Sequence, residues 1–246
     1  MIWLFIFIFG LCVGSFLNVV VYRLNHNLSP FRGRSVCPKC KHKLAWHDNI
    51  PLFSFILLRG KCRYCHSPIS WQYPLVELAA GILTVVVYQL SVDLIFNLLI
   101  TYVLIAIFVS DLRYMTIPDK VVYPAIFLSL VYSLFGLHDS KFILSGLGAA
   151  GFFLILVLIT RSRGMGVGDV KLAGLMGLLL GWPRIVVALF LAFLTGSVVG
   201  VILILLGKKR FGEHIPFGPF LAGGTWVALF WGWVIWQWYW QQMLVL

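Results

Sequence analysis

Long apolar runs alternate with short polar stretches along the whole chain. The apolar runs cover 2–22, 74–90, 94–110, 121–137, 142–160, 172–181, 185–207 and 215–240. A helix that crosses a bilayer needs about 20 residues, with roughly 17 as the lower limit. Seven of the eight runs reach or approach that length. The run 172–181 is short, and it crosses only if its helix starts inside the preceding loop and continues through Trp182. The pattern predicts an all-α polytopic membrane protein of about eight transmembrane helices. It divides the chain into a first span (1–22), one polar segment of some size (23–72) and a seven-helix core (73–246).

Composition agrees with this pattern and excludes a soluble domain. Hydrophobic residues make up 61% of the chain and charged residues 11%, where soluble domains carry about 25% charged residues. The basic residues set an orientation. Of 19 Lys and Arg, 17 fall in alternate loops: nine within 23–63, then Arg113 and Lys120, then Arg161, Arg163 and Lys171, then Lys208, Lys209 and Arg210. Only Lys141 and Arg184 fall on the other side. The positive-inside rule predicts that these basic loops are cytosolic and that both termini lie outside. No positive residue precedes the first span, which therefore reads as an anchor and not as a cleavable signal. The net charge of +11 then serves topology and contact with anionic lipid. A nucleic-acid partner is not expected, because no sizeable soluble domain offers a basic face.

The polar segment carries Cys37-Pro-Lys-Cys40 and, after 21 intervening residues, Cys62-Arg-Tyr-Cys65. Two such pairs supply four thiolates to one tetrahedral zinc ion. A disulfide framework is the alternative, and the reducing cytosol disfavours it. Four thiolates leave no open coordination position, so the predicted metal is structural. His42, His47 and His66 lie nearby and read as surface residues, while Cys12 reads as an apolar packing residue of the first span. The apolar stretch 50–58, between the knuckles, is too short to span. It could cover the metal core, lie in the interface or line a peptide groove.

Two carboxylates stand where apolar runs meet basic loops: Asp111 in Asp111-Leu-Arg-Tyr-Met-Thr-Ile-Pro-Asp119, and Asp169 in Gly164-Met-Gly-Val-Gly-Asp169-Val-Lys171. Charge at a membrane boundary is costly and marks function by default. Each could instead be a helix-end carboxylate that makes a cap or an ion pair, with Arg113 near Asp111 and Lys171 near Asp169. Two on one side of the membrane suggest a pair that shares a proton, as in aspartic proteases. In that chemistry one carboxylate takes a proton from water, which attacks the scissile carbonyl, while its protonated neighbour donates to the carbonyl oxygen. Gly164, Gly166 and Gly168 remove side chains beside Asp169 and would let an extended substrate approach. Asp119, after Pro118, is expected to cap the next helix, with a catalytic share as the alternative. Glu77 is an unusual carboxylate one turn into the second span; it would pair with a cation of the polar segment or bind the positive end of a substrate. Asn18 is expected to form an interhelical hydrogen bond. Pro216-Phe-Gly-Pro219 breaks the start of the last span.

These motifs resemble the type IV prepilin peptidases. The similarity begins at Gly14-Ser-Phe-Leu-Asn18 and runs through the cysteine segment, the stretch from Asp111 to Asp119, the stretch around Asp169 and Ile215-Pro-Phe-Gly-Pro219, in the family's order. Gln72 departs from the Arg that the family often carries before Tyr-Pro. The resemblance implies a bacterial inner-membrane aspartic peptidase of the pilus, type II secretion and competence systems. It implies Asp111 and Asp169 as the catalytic pair and Cys37, Cys40, Cys62 and Cys65 as zinc ligands. The implied substrates are prepilins and pseudopilins, whose short basic leaders are cut at the cytosolic membrane face. Many members then methylate the new N-terminal residue from S-adenosylmethionine, and the cysteine segment implies that activity here. No nucleotide fingerprint in the sequence locates the methyl donor. Glu77, Asp48 or Glu213 would meet the basic leader.

Two other readings compete. A presenilin-like intramembrane protease also uses a Gly-x-Gly-Asp element, but lacks the cysteine segment. A membrane assembly or transport protein would carry its charges deeper within the spans.

Overall fold

The computed structural model describes residues 1–245, apart from 31–32, 138, 162–164 and 211–212. The predicted role of Gly164, and the charges of Arg32 and Arg163, lie outside the described residues.

The described residues form helices and two isolated β-bridges, with no sheet. The helices are α1 (Ile2–Asn25), α2 (Phe53–Leu57), α3 (Gln72–Leu90), α4 (Leu94–Tyr114), α5 (Asp119–Val131), α6 (Ser140–Ile159), α7 (Val167–Leu180), α8 (Arg184–Leu205) and α9 (Gly218–Val245). A 3-10 turn covers Trp46–Asn49, and a π-helical stretch, Tyr132–Leu137, continues α5. Seven helices are long and apolar enough to cross a membrane: α1, α3, α4, α5 with its continuation to Gly136, α6, α8 and α9. The structure is thus that of an all-helical, multi-pass membrane protein.

The short sixth apolar run, 172–181, behaves only partly as predicted. Its helix, α7, does start inside the preceding loop, at Val167, but it does not continue through Trp182. Gly181 takes φ 63 as the C-cap, a conformation open to glycine, and Pro183 follows two residues later. With 14 residues, α7 is about 21 Å long at 1.5 Å per residue. It is short of a spanning helix and buried along most of its length.

The chain forms two compact units, 1–109 and 110–246, with the break inside α4. In the first, α1 packs on α3. Gly10 and Gly14 of α1, one turn apart, make that contact close. A Cβ at Gly10 would lie 2.5 Å from Thr84 Oγ1 and 2.8 Å from the Ala80 carbonyl; one at Gly14 would lie 2.8 Å from Ala80 Cβ. This is the small-residue packing by which helix backbones approach one another in lipid. Thr84 Oγ1 also lies 2.8 Å from the Tyr102 hydroxyl, tying α3 to α4.

In the second unit the pairs are α6 with α7 and α8 with α9. Gly146 and Gly177 let α6 and α7 touch by backbone, since a Cβ on Gly177 would strike Ser145 and Gly146. The α8–α9 pair is antiparallel: Gly224 meets Ala188, and Gly232 meets Arg184 at the start of α8. Phe153, Phe193 and Phe217 stack at centroid distances of 5.1–6.3 Å and join α6 and α8 to the start of α9.

Candidate active site and metal centre

Asp111 and Asp169 both belong to the second unit, and both are buried, at 6% and 8% exposure. Asp111 lies in the last turn of α4. The chain reverses tightly just beyond it: the Met115 N–H donates to the Asp111 carbonyl at 2.9 Å, Met115 takes φ 53, and the Ser110 hydroxyl donates to the Thr116 carbonyl at 2.9 Å. Asp169 is the third residue of α7, and its carboxylate folds back onto the helix start, where Oδ2 accepts the Gly166 N–H at 3.0 Å.

Asp111 has a matching donor from far along the chain. Its Oδ2 accepts the Gly218 N–H at 2.8 Å, and Gly218 is the first residue of α9. First-turn N–H groups have no partner within their helix and form its positive end, which suits a carboxylate. A Cβ on Gly218 would stand 2.7 Å from Asp111 Oδ2 and 3.0 Å from Cγ, so only glycine permits the contact. The sequence predicts a broken helix start at Pro216–Pro219 but no role for Gly218; the one available signal was a glycine between two prolines.

The two carboxylates thus share a design. Each receives one glycine N–H on Oδ2, and the other oxygen accepts no hydrogen bond from the described residues. They are close enough for the charge of Asp111 to act on Asp169. Neither forms an ion pair among the described residues, so the ion-pair form of the helix-end reading fails, while the bonds from Gly166 and Gly218 are the helix-start contacts that its capping form expects.

Lys171, expected as a partner of Asp169, instead bonds Asp119 Oδ1 at 2.6 Å and lies 4.9 Å from the centre of the Tyr123 ring. Asp119 therefore does not cap α5 by its side chain. Pro118 occupies the cap position, and Asp119 ties the start of α5 to the start of α7. Gly168 also differs from expectation. A Cβ there would meet Ile117 at 3.2 Å, so this glycine admits Ile117 and clears no substrate path. Gly166 is open, its nearest would-be contacts being 3.8 and 3.9 Å away.

In the first unit the four cysteines converge. Cys37, Cys40, Cys62 and Cys65 place their sulfurs within 4.8 Å of one another, and all four thiols are free. Two knuckles of the same design bring this about. In one, the Cys37 N–H bonds the His42 carbonyl, the Lys41 N–H bonds the Cys37 carbonyl, and Lys41 takes φ 58; in the other, Cys62, Ser67 and His66 repeat these bonds, with His66 at φ 55. Isolated bridges Val36–Lys43 and Lys61–Pro68 close the two loops.

The donor set fits zinc. A tetrahedron with Zn–S of about 2.3 Å has S–S edges of roughly 3.8 Å, and Cys37 Sγ stands 3.9 Å from Cys65 Sγ. The thiols already divide in charge. Hydrogen bonds from the Ser67 side chain and backbone draw Cys65 down to about 6. A backbone bond at His42 lowers Cys40, but burial and the neighbouring Cys37 and Cys65 outweigh it and push it up to about 11. Four sulfurs this close cannot all ionise without a cation among them. His42 is exposed, as expected, and lies against Tyr64 with ring centroids 3.7 Å apart.

Asp48 is built into this segment and is not open to a basic leader. Burial raises its carboxyl, but bonds from the Arg63 guanidinium at 2.8 Å, the Ala45 N–H and the Tyr64 hydroxyl outweigh that and hold it below the usual carboxylate range. Glu213 lies 3.5 Å from Lys209 in an exposed loop. Asn18 bridges helices as predicted, its Nδ2 donating to the Tyr73 carbonyl at 3.2 Å. Glu77 pairs with no cation among the described residues of the cysteine segment; its Oε2 accepts the Leu52 N–H at 2.9 Å.

Comparisons with known proteins cover both units. Residues 8–90 match the bacterial peptidase A24 N-terminal domain, and residues 98–201 match the type IV leader peptidase family. A prepilin leader peptidase/N-methyltransferase of Aeromonas hydrophila is 37% identical over 96% of this chain and 94% of its own length. Proteins of the same name from Stutzerimonas stutzeri and Burkholderia pseudomallei (strain 1026b) are 35% and 33% identical, over 92% and 93% of this chain and 89% and 85% of their own. No solved structure matches. The family model's match stops at residue 201, short of Gly218, whose place in the site rests on its hydrogen bond to Asp111. With Asp111 and Asp169 inside the matched region and near-complete coverage by these relatives, the chain belongs to the type IV leader peptidase family.

Proposed function

We propose that this protein is a membrane aspartic endopeptidase that removes the leaders of type IV prepilins and pseudopilins, and that it then methylates the new N-terminus. The observation that carries the peptidase reading is the pair of buried carboxylates, each held through one oxygen by a glycine N–H and each accepting no hydrogen bond on its other oxygen from the described residues. On this reading the two carboxyls, each within reach of the other's charge, hold one proton between them, because two like charges at close range cannot both persist. The ionised member then takes a proton from water as that water attacks the scissile carbonyl, and its partner protonates the carbonyl oxygen. The N–H groups of Gly166 and Gly218 keep both side chains in register for this exchange.

We place this site at the cytosolic face, with both termini outside. The ends of α4, α7 and α9 that carry Asp111, Asp169 and Gly218 adjoin the basic loops, which the positive-inside rule assigns to the cytosol. Arg184 packs at Gly232, 14 residues along α9 from Gly218 and hence about 21 Å away, the length of α7. On this reading α7 crosses despite its shortness, as the sixth of eight passes.

Methylation requires S-adenosylmethionine, which supplies an electrophilic methyl group. In the first unit, Cys37, Cys40, Cys62 and Cys65 would hold one structural zinc and fix the fold beside it. The deciding experiment is cleavage of a prepilin by purified protein with Asp111→Asn and Asp169→Asn tested singly. Normal cleavage by either variant would refute the shared-proton mechanism.

A further inference from the structure

The stretch between the two cysteine pairs turns an apolar face outward. In α2, Phe53, Ile56 and Leu57 are 56%, 71% and 62% exposed, and spacings of three and four residues set them on one side of the helix. The opposite side is occupied: the Phe55 ring lies against Trp71 with centroids 5.0 Å apart, and a Cβ on Gly60 would meet that ring at 3.2 Å. Trp71, itself exposed, stands at the cap of α3 and carries the patch onto that helix. Large apolar side chains gathered on one outer face mark a surface that an apolar partner covers.

Depth identifies the partner. With 19 residues, α3 is about 28 Å long, no more than the ~30 Å of a hydrocarbon core, so nearly all of it is needed to cross. Glu77, five residues beyond Gln72, then stands about 8 Å inside the boundary. The first helix agrees. A Cβ on Gly14 would lie 2.8 Å from Glu77 Cα, which puts the two residues on one level, and Gly14 is about 18 Å from the far end of α1 at Ile2.

Glu77 pins the stretch near this level. Its Oε2 accepts the Leu52 N–H at 2.9 Å. Leu52 takes φ 58 and ψ −46, and the Phe53 N–H reaches back to the Pro51 carbonyl at 2.6 Å. This is the rarer, strained γ-turn, which persists where its surroundings hold it. Helix side chains lean toward the N-terminus, which brings Leu52 a few ångström back toward the boundary, the depth at which interfacial helices lie. Arg59 and Lys61 follow α2 and are exposed, as suits cations at lipid phosphates.

We propose that α2 and Trp71 are embedded in the lipid leaflet on the side of the cysteine segment, with Phe53, Ile56 and Leu57 among the acyl chains and Arg59 and Lys61 at the headgroups. The four-thiol cluster is then held against the bilayer by its own intervening loop as well as by the spans on either side.

The test is photocrosslinking in nanodiscs of phosphatidylethanolamine and phosphatidylglycerol with tritiated acyl chains. The photoreactive residue p-benzoylphenylalanine replaces Phe53 in one full-length variant and Ile56 in a second. It replaces Ile82, exposed on α3, in a third, and Lys43, exposed in the cysteine segment, in a fourth. Label transfer at 53 and 56 should come within about threefold of that at 82 and exceed that at 43 by at least ~10-fold. Transfer at 53 and 56 no greater than at 43 would overturn the proposal. So would a crosslink from 53 or 56 to an added prepilin in place of lipid, since the face would then belong to the substrate. Glu77→Met, combined with the probe at 53, removes the acceptor for Leu52 and should cut transfer about fivefold, while Glu77→Gln, whose amide oxygen accepts the same N–H, should retain it. Equal transfer in these two would overturn the part given to Glu77.

Discussion

The Gly218 N–H donates to Asp111 Oδ2 at 2.8 Å across 107 residues of sequence, joining the last turn of α4 to the first residue of α9. That contact holds one carboxylate of the proposed pair in place, while Gly166 holds the other from within its own helix start. The two anchors differ in kind, one long-range and one local, and they invite different tests.

Asn in place of either aspartate retains an oxygen that can accept the glycine N–H but cannot trade the proton. Asp111→Asn and Asp169→Asn should each lower prepilin cleavage by ~10²–10⁴-fold, with thermal unfolding in detergent close to that of the unaltered protein. A large fall in melting temperature would mean that these residues serve the fold instead.

Gly218→Ala should cost both activity and stability. Its methyl group would sit 2.7 Å from Asp111 Oδ2, and overpacking of this kind costs about 1–3 kcal/mol. Cleavage should fall at least ~10-fold through misplacement of Asp111. Gly223→Ala is the control, since a Cβ there meets nothing within 4 Å. Similar behaviour of the two variants would remove Gly218 from the site.

The Lys171–Asp119 bridge ties α5 to α7 in a setting where the two side chains are 23% and 57% exposed. Such a pair is worth at most ~1 kcal/mol. Asp119→Asn and Lys171→Met should therefore lower cleavage by less than ~10-fold each, and the double variant should be no worse than the single ones. Complete loss of cleavage in Asp119→Asn would make it a third catalytic carboxylate.

One zinc per chain is expected by elemental analysis of protein purified without chelator, with loss on Cys37→Ser or Cys62→Ser, the two buried thiols. Removal of zinc should speed thiol labelling of the remaining cysteines. A metal-free protein whose thiols label slowly would point to a disulfide framework.

Asp48 adds a pH dependence to the same segment. Its carboxyl is depressed in the folded state, so its contribution is present above the ordinary carboxylate range and is lost as pH falls through the lowered value. Thiol labelling of Asp48→Asn should exceed that of the unaltered protein at pH 7, and the difference should close below about pH 4. Zinc release by protonation of the thiolates acts on both proteins and cancels in the comparison.

Much of the molecule was legible in the chain because membrane burial and metal ligation write themselves locally. Spans show as apolar length, and all seven of the long ones are helices. The cysteine pairs show as spacing, and their sulfurs do converge. Asp111 and Asp169 stood out because charge is rare beside apolar runs. Other features carry little local signature. Gly10 and Gly14 look like any glycines in a span until α3 is seen against them. Gly168 looked like open space and proves to be filled by Ile117, while Asp119 looked like a cap and proves to be half of a bridge.

By itself, then, the sequence determined that this is a helical membrane protein with a four-thiol cluster and two boundary carboxylates, since each depends on residues close in the chain or on composition. Only the tertiary structure decided what each carboxylate touches: Gly218 for Asp111, Lys171 for Asp119, and Leu52 for Glu77. These partners lie 107, 52 and 25 residues away. A hydrogen bond over such a separation is fixed by how helices pack, and packing is a property of the whole fold, which no local stretch encodes.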